Sequence, residues 1–525
     1  MDAKVSGRPP GGYRPGMGGP GMGGPGMRPG MGGGHMHRNL TEGPITRTLL
    51  MFSLPVLGGN VLQTLNTSVN QFWVAHMLGV TAITAIGNSN TLMMLMVGAV
   101  FGVSMAANIL IAQQVGADQL PMAKRVMGTS ITFFAVLSTA LALLGWHLSP
   151  MVLGAMHTPK AASAEAIIYL RVMFAAMPFT YFFMFMQMAQ RGAGDSRTPF
   201  YFMILAVVLD MILNPCLIRG LGPFPRMGIA GSAVSTLIGQ GVSLTLLLVV
   251  LYRRHSVLML RPSELHMLRP DFKILNSLVT RGLPMGFQML VMSGASVIMI
   301  GFVNGYGAVT AAAYVAALPV WTYLQMPGMA IGASISSMAA QNIGAGRWDR
   351  VNQIALSGLG SSLVVTGALA VVIYLLGEIP LYIFLPAGSP AMPIALHIDR
   401  ITLWAFVLFN ATFALSGVVR ATGAVIPPLI ILIISMWVIR VPFAALLTPH
   451  WGAEAIWWSF PLGTVTSSTL TALYFVFGGW RKSRMLEPEA GGQVADAGQA
   501  PPTMDPQEVD EEAADALAAS GAAAS

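Results

Sequence analysis

Long apolar stretches separated by short polar segments fill the middle of the chain. A helix that crosses a bilayer needs about 20 mainly apolar residues. We predict twelve such helices, near residues 48–75, 83–111, 126–150, 165–190, 198–219, 228–252, 276–303, 310–339, 352–377, 394–419, 425–447 and 453–477. Because this number is even, both ends of the chain are expected on the same side of the membrane.

The composition excludes a soluble enzyme, a nucleic-acid-binding protein and a disulfide scaffold. Apolar residues make up 54% of the chain and charged residues only 9%, against about 25% charged residues in soluble proteins. Cys216 is the single cysteine, so no internal disulfide or cysteine-rich metal site is expected. We predict an all-α integral membrane protein that is not an enzyme. Its expected partners are the lipid bilayer and a small-molecule substrate, with no metal, organic cofactor or nucleic acid.

The chain divides into two lobes, a linker and two tails. Residues 1–44 are rich in Gly, Pro and Met, and residues 485–525 are rich in Ala and acids, which indicates disordered tails. A basic linker, 253–275, separates an N-terminal lobe at 45–252 from a C-terminal lobe at 276–484.

Basic residues indicate the orientation. They follow the even-numbered spans far more often than the odd-numbered ones, as with Lys124 and Arg125 after the second span and Arg347 and Arg350 after the eighth. Positively charged loops stay in the cytoplasm. We therefore expect a multi-pass protein of the cytoplasmic membrane with both tails inside.

The two halves of the chain resemble each other at an offset of about 228 residues. Ile111–Ala117 recurs as Ala339–Ala345, and Arg191–Gly194 recurs as Arg420–Gly423. Six spans in each half give both halves the same orientation. Transporters built from such parallel repeats bind substrate between the repeats and alternate access by rocking them. The repeat also favours a monomer over a channel formed by a symmetric oligomer.

Four segments of the chain carry a family pattern. They are Leu62–Leu65 with Phe72–Val74, Ala112–Ala117, Arg191–Pro199, and Asp210…Asn214-Pro215 followed by Gly228–Ala233. In this order they resemble the multidrug and toxic compound extrusion (MATE) antiporters. The resemblance covers about residues 45–480 and implies two pseudo-symmetric six-helix lobes in a V shape. It also implies export of amphipathic, often cationic compounds, driven by inward flow of H⁺ or Na⁺.

Asp210 is the candidate coupling residue. It lies well inside the fifth span, whereas the other acids outside the tails, including Asp399, are assigned to loops or span ends. A charged Asp at the bilayer centre costs about 2.5–3.5 kcal/mol on insertion scales, and such residues usually serve transport. Asn214 is one helical turn away, and Thr236 in the sixth span has a similar depth.

The first span carries a polar stripe of Asn60, Gln63, Thr67 and Asn70. Such a stripe needs a bundle interior or a water-filled cleft, although it could also serve hydrogen bonding between helices. Family members commonly carry an acid where this chain has Asn70. They also commonly read Asn-x-x-x-Asp-Pro where this chain has Asp210 followed by Asn214. With one carboxylate, we expect coupling to H⁺ rather than Na⁺.

Tyr181, Met184 and Met188 in the fourth span are candidates for the substrate surface, because methionine and aromatic side chains suit promiscuous binding of organic cations. Packing against lipid or neighbouring helices is the other use for each of them.

Two rival functions fit the sequence less well. A flippase for a lipid-linked or amphipathic metabolite would line its cleft with several basic residues, and the predicted spans lack such a cluster. A membrane enzyme would need paired catalytic groups, for which His397 and Asp399 are the nearest approach.

Overall fold

The computed structural model describes residues 40–78, 80–155 and 160–486. Most of both predicted tails lies outside this range. The described part contains twelve helices of 23 or more residues, as predicted. They are α1 (Ile45–Leu78), α2 (Val80–Gly116), α3 (Leu120–Ala155), α4 (Lys160–Gly192), α5 (Arg197–Arg219), α6 (Ile229–Arg253), α7 (Phe272–Asn304), α8 (Ala308–Gly344), α9 (Trp348–Leu376), α10 (Met392–Ala421), α11 (Ile426–Trp451) and α12 (Glu454–Phe477).

Eleven of these helices are long and apolar enough to cross a membrane. The remaining helix, α8, has 37 residues, and most of its C-terminal half is buried against neighbouring helices. Burial within protein allows this half to carry polar side chains that lipid would not solvate. Helices α1–α6 form the N-lobe and α7–α12 form the C-lobe.

The lobes meet along glycine-lined helix crossings. Gly98 and Gly102 of α2 lie against Gly282 and Gly286 of α7, so closely that a Cβ at Gly102 would overlap the backbone of α7. Small residues spaced four apart let membrane helices approach to backbone contact. The spacing of these two pairs therefore fixes where α2 and α7 cross.

A second crossing joins the C-terminal ends of α2 and α8. Gly116 packs on the backbone of Gln341, and Gly344 packs on the backbone of Gln113. A Cβ at either glycine would overlap the facing carbonyl oxygen. We call the end of the molecule that contains Gly116 and Gly344 the closed end.

Two glutamines tie the lobes together at the closed end. Gln113 of α2 donates through Nε2 to the carbonyl oxygen of Ala421 at 2.7 Å. Its repeat equivalent, Gln341 of α8, donates to the carbonyl oxygen of Gly192 at 2.8 Å. Each glutamine thus bonds the last turn of a helix in the opposite lobe.

The described residues of the N-terminal segment are packed, which corrects the predicted tail boundary at 44. Leu40 has 0% exposure. Its amide donates to Gln341 Oε1, and its carbonyl oxygen accepts from Asn342 Nδ2, both at 3.2 Å. Arg347 donates to the carbonyl oxygen of Thr41 at 2.7 Å. This segment therefore crosses from α1 to the closed end of the C-lobe.

The linker between the lobes packs on α3. It contains a short 3₁₀ helix, Pro262–Leu268, whose Glu264 forms an ion pair with Lys124 at 2.7 Å. Hydrogen bonds from the Arg261 amide and from Lys124 lower the pKa of Glu264 below its ordinary value. The predicted basic linker is therefore held against the N-lobe.

We expect Gly116→Ala to lower the thermal stability of the purified protein, because the added methyl group would press on the backbone of Gln341. Overpacking of this kind typically costs about 1–3 kcal/mol. Gly367→Ala in α9 is the matched control, since a Cβ there meets open space and Ala favours a helix over Gly by about 0.5–1 kcal/mol. Equal melting temperatures for the two variants in the same detergent would contradict the close crossing.

Candidate functional site

A cavity of about 540 Å³ lies between the two lobes. Helices α1, α2, α4, α5 and α6 of the N-lobe and α7, α8 and α10 of the C-lobe supply its walls. The walls are mainly apolar, and flexible, polarizable methionines are unusually frequent. Such a surface suits varied amphipathic molecules. The methionines are Met105, Met184, Met188, Met203, Met285, Met289, Met292 and Met329.

Asp210 of α5 lies on the wall of this cavity, with 2% of its surface exposed. Its Oδ2 accepts hydrogen bonds from Nδ2 of Asn66 and Nδ2 of Asn70, each at 2.9 Å. Its Oδ1 accepts from Oγ of Ser235 at 2.5 Å, and Oγ1 of Thr236 lies 3.3 Å from both oxygens. Side chains of α1 and α6 therefore surround the carboxylate of α5.

Asn214 orients this network. Its Nδ2 donates to Oδ1 of Asn70 at 2.6 Å and to Oγ of Ser232 at 3.3 Å. Because the Asn70 oxygen accepts from Asn214, the Asn70 amide directs its N–H group at Asp210. Asp210 and Asn214 lie one turn apart on the same face of α5, which places both near α1.

Close packing of α5 and α6 brings the hydroxyl groups within reach. Gly239 of α6 packs on the carbonyl oxygen of Ala206. Ser235 and Thr236 lie three to four residues before Gly239, on the same side of α6. A larger residue at Gly239 would push α6 away and lengthen both hydroxyl bonds to Asp210.

The site has groups for either protonation state of the carboxyl group. The donors of α1 and α6 are directed at its two oxygens, as a carboxylate requires. A protonated carboxyl group also needs an acceptor. Within the described residues, Oδ1 of Asn66 and Oδ1 of Asn214 have no hydrogen-bond partner. Rotation of the Asn66 amide would present that oxygen to a protonated Asp210.

Only part of the predicted polar stripe of α1 lines the cavity. Asn60 and Gln63 line the cavity, and Asn70 reaches Asp210. Thr67 does not line the cavity, and its hydroxyl donates to the carbonyl oxygen of Gln63 in the same helix. Asn66 takes part instead. Its signal in the sequence is its spacing of four residues from Asn70, which puts both amides on one helix face.

Two of the three candidate substrate residues of α4 line the cavity, and the third does not. Met184 and Met188 line the cavity. Tyr181 does not line it, and its side chain packs in the hydrophobic core of the N-lobe.

Asp399 lies inside a helix, which corrects its assignment to a span end. It is in the second turn of α10 with 3% of its surface exposed, and its Oδ1 accepts from Nε1 of Trp321 at 2.8 Å. His397 pairs with Glu454 at 2.7 Å, so the pair considered for an enzyme does not form. The sequence signal was weak because the predicted span began only five residues earlier.

Two arginines line the cavity, although the sequence places both after their spans. Arg191 lies in the last turn of α4 with 8% of its surface exposed, and Arg420 lies in the last turn of α10. Both border the cavity near the closed end. The sequence reading assigns both arginines to loops, whereas the structure places both on the cavity lining. Among the described residues, no three His, Cys, Asp or Glu side chains are grouped to hold a metal.

Known proteins match both halves of the chain. A family model described as MatE matches residues 55–216 and 284–446. The chain is 33% identical to the probable multidrug resistance protein YoeA of Bacillus subtilis, over 84% of this chain and 95% of that protein. It is 27% identical to the FAD transporter of Shewanella oneidensis, over 62% of this chain and 71% of that one.

The fold matches a solved structure titled as the outward-facing conformation of a multidrug resistance MATE family transporter. The TM-score is 0.78 at 20% identity, covering 84% of this chain and 97% of the other. At this identity the match supports the fold alone.

Proposed function

The chain belongs to the MatE family of multidrug efflux transporters, and we propose that it exports amphipathic, mainly cationic compounds in exchange for H⁺. The observation that carries this proposal is Asp210, a buried carboxylate on the cavity wall that bonds both α1 and α6. A change in its protonation state would alter hydrogen bonds between three helices of one lobe. The positive-inside pattern supports a cytoplasmic membrane location with both tails inside.

The donors around Asp210 favour H⁺ over Na⁺ as the coupling ion. Hard metal cations prefer several oxygen ligands, whereas two of the four groups directed at this carboxylate are amide N–H groups and only the two hydroxyls present oxygen. A proton needs one titratable group. Na⁺ coupling is therefore the less favoured reading.

Proton and substrate would bind antagonistically. The ionised carboxylate attracts a cationic substrate into the cavity, and protonation removes that attraction. By linkage, each ligand weakens the other by the same factor. A proton taken up from outside would promote outward release, and its loss to the cytoplasm would restore the substrate site. Export of an amphipathic metabolite is the second candidate, supported by the named function of the Shewanella relative.

We expect Asp210→Asn to reduce proton-driven export in proteoliposomes to the level of protein-free vesicles, because Asn cannot release a proton. Asp399→Asn is the matched control: it is also a buried acid, but it bonds Trp321 in the C-lobe. It should retain at least about half of wild-type export. Loss of export in Asp399→Asn with normal export in Asp210→Asn would move the coupling group to the C-lobe.

The affinity for a permanently charged cation should rise with pH. The carboxylate form of Asp210 would attract the cation and the protonated form would not, so proton binding should weaken cation binding. Tetraphenylphosphonium binding to purified protein, measured by calorimetry from pH 5 to 9, tests this expectation. The dependence should be flat in Asp210→Asn. An equally steep dependence in that variant would exclude direct competition at Asp210.

Asn70→Asp should change ion dependence rather than raise activity. Its new carboxylate would stand within hydrogen-bond distance of Asp210, where two carboxyl groups titrate jointly and share one proton. We expect an altered pH profile of export and a new stimulation by Na⁺. Thr67→Asp is the comparison variant on the exposed side of α1. If Asn70→Asp keeps the wild-type pH and Na⁺ profiles, the two side chains do not interact during transport.

A further inference from the structure

The cavity carries two positive charges near the closed end that the proposed coupling step does not use. Arg191 comes from the N-lobe and Arg420 from the C-lobe, and the two are repeat equivalents. Nε of Arg191 has no hydrogen-bond partner in the described structure, and the nearest partner of its Nη1 is the sulfur of Met188 at 3.8 Å. Arg420 forms no ion pair within the described residues.

The acid of the cavity does not neutralise these arginines. Asp210 lies 13 residues into α5, which is ~20 Å along the helix from its start beside the end of α4. Its two oxygens already accept hydrogen bonds from four side chains. The end of the cavity that Arg191 and Arg420 border is therefore positive, whereas the wall at Asp210 is negative.

A buried guanidinium without a partner is costly, since charges taken from water need pairing and hydrogen bonds. The planar fork of arginine matches the two oxygens of a carboxylate or phosphate. Met188, whose sulfur lies 3.8 Å from Nη1 of Arg191, and the other methionines of the cavity would accept the apolar part of the same ligand.

The position of the arginines connects ligand binding with lobe contact. Arg191 precedes Gly192, which accepts the bond from Gln341, and Arg420 precedes Ala421, which accepts the bond from Gln113. The two guanidinium groups are thus attached to different lobes at the point where the lobes meet. Separation of the lobes at the closed end would move the two arginines apart.

We propose that Arg191 and Arg420 form an oxyanion site in the cavity near the closed end, and that this site binds the carboxylate or phosphate group of an amphipathic substrate. The site rests on the proposed export function and extends its substrate class from cations to zwitterions and anions. The apolar body of the substrate lies along the methionines. A cationic group, where the substrate has one, points toward Asp210.

Two probes with the same aromatic body test the site. Rhodamine 19 carries a free carboxylate, and rhodamine 6G is its ethyl ester and a net cation. In the double variant Arg191→Met, Arg420→Met, we expect rhodamine 19 to bind the purified full chain at least about tenfold more weakly, as loss of a charge-assisted hydrogen bond would produce. The ester should bind equally or more tightly, because positive charge is removed. Equal affinity of rhodamine 19 for wild type and variant would overturn the proposal.

Single and conservative variants distinguish loss of the binding contact from misfolding of the protein. Arg191→Lys and Arg420→Lys keep the charge and should lose less affinity for rhodamine 19 than the methionine variants do. Arg171→Met is the matched control, because that arginine is more exposed and stacks on Trp146 outside the cavity. A loss of affinity in Arg171→Met equal to that in Arg191→Met would also overturn the proposal.

Competition identifies the source of the oxyanion. Displacement of rhodamine 19 by inorganic phosphate supports a soluble substrate group, and displacement only by short-chain phosphatidylglycerol supports a lipid headgroup. No displacement by either would contradict the site. Export of rhodamine 6G driven by a pH gradient tests the proposed function separately, since it depends on Asp210. Failure of the arginine experiment with intact export would reject only the oxyanion site.

Discussion

The buried carboxyl group of Asp210 imposes the main constraint on the N-lobe. In a membrane, a polar group that finds no partner in the protein finds none in the lipid. The chain meets this requirement with two amides of α1 and two hydroxyls of α6 around one carboxylate of α5. Three helices therefore meet around one carboxyl group. The glycine at 239 and the amide of Asn214 are needed because α6 and α1 must approach α5 closely.

The cavity has an acidic residue, Asp210, on its wall, two arginines near the closed end and a mainly apolar lining. Asp210 and Arg191 belong to the same lobe, yet they lie at different depths and are not paired with each other. Eight methionines are among the residues that line the same cavity. A molecule that spans the cavity therefore meets charges of opposite sign at its two ends and no fixed shape between them, which suits amphipathic compounds of varied structure.

The sequence predicts the twelve helices, the two lobes and the central acid because these depend on local hydropathy and on single residues. Features that depend on depth or on helix rotation were predicted less well. Thr67 and Asn66 are neighbours in the sequence, but only Asn66 faces α5. Asp399 and Arg191 lie within one or two turns of a helix end, where hydropathy cannot tell a buried residue from a loop residue. The packing of Leu40 on α8 depends on a contact about 300 residues away, which no local pattern encodes.

The exchanged bonds of Gln113 and Gln341 have a consequence for the ancestry of the fold. In a twofold-symmetric dimer the interface is isologous, which means that each subunit makes the same contact with its partner through equivalent residues. The hydrogen bonds of Gln113 and Gln341 follow this pattern. The closed end thus has the contact pattern that two identical six-helix subunits would form about a twofold axis. Covalent fusion frees the halves from being identical: Val438 stands 228 residues after Asp210. A homodimer would have had to duplicate the acid, whereas the fused chain can keep it in one half and specialise the other.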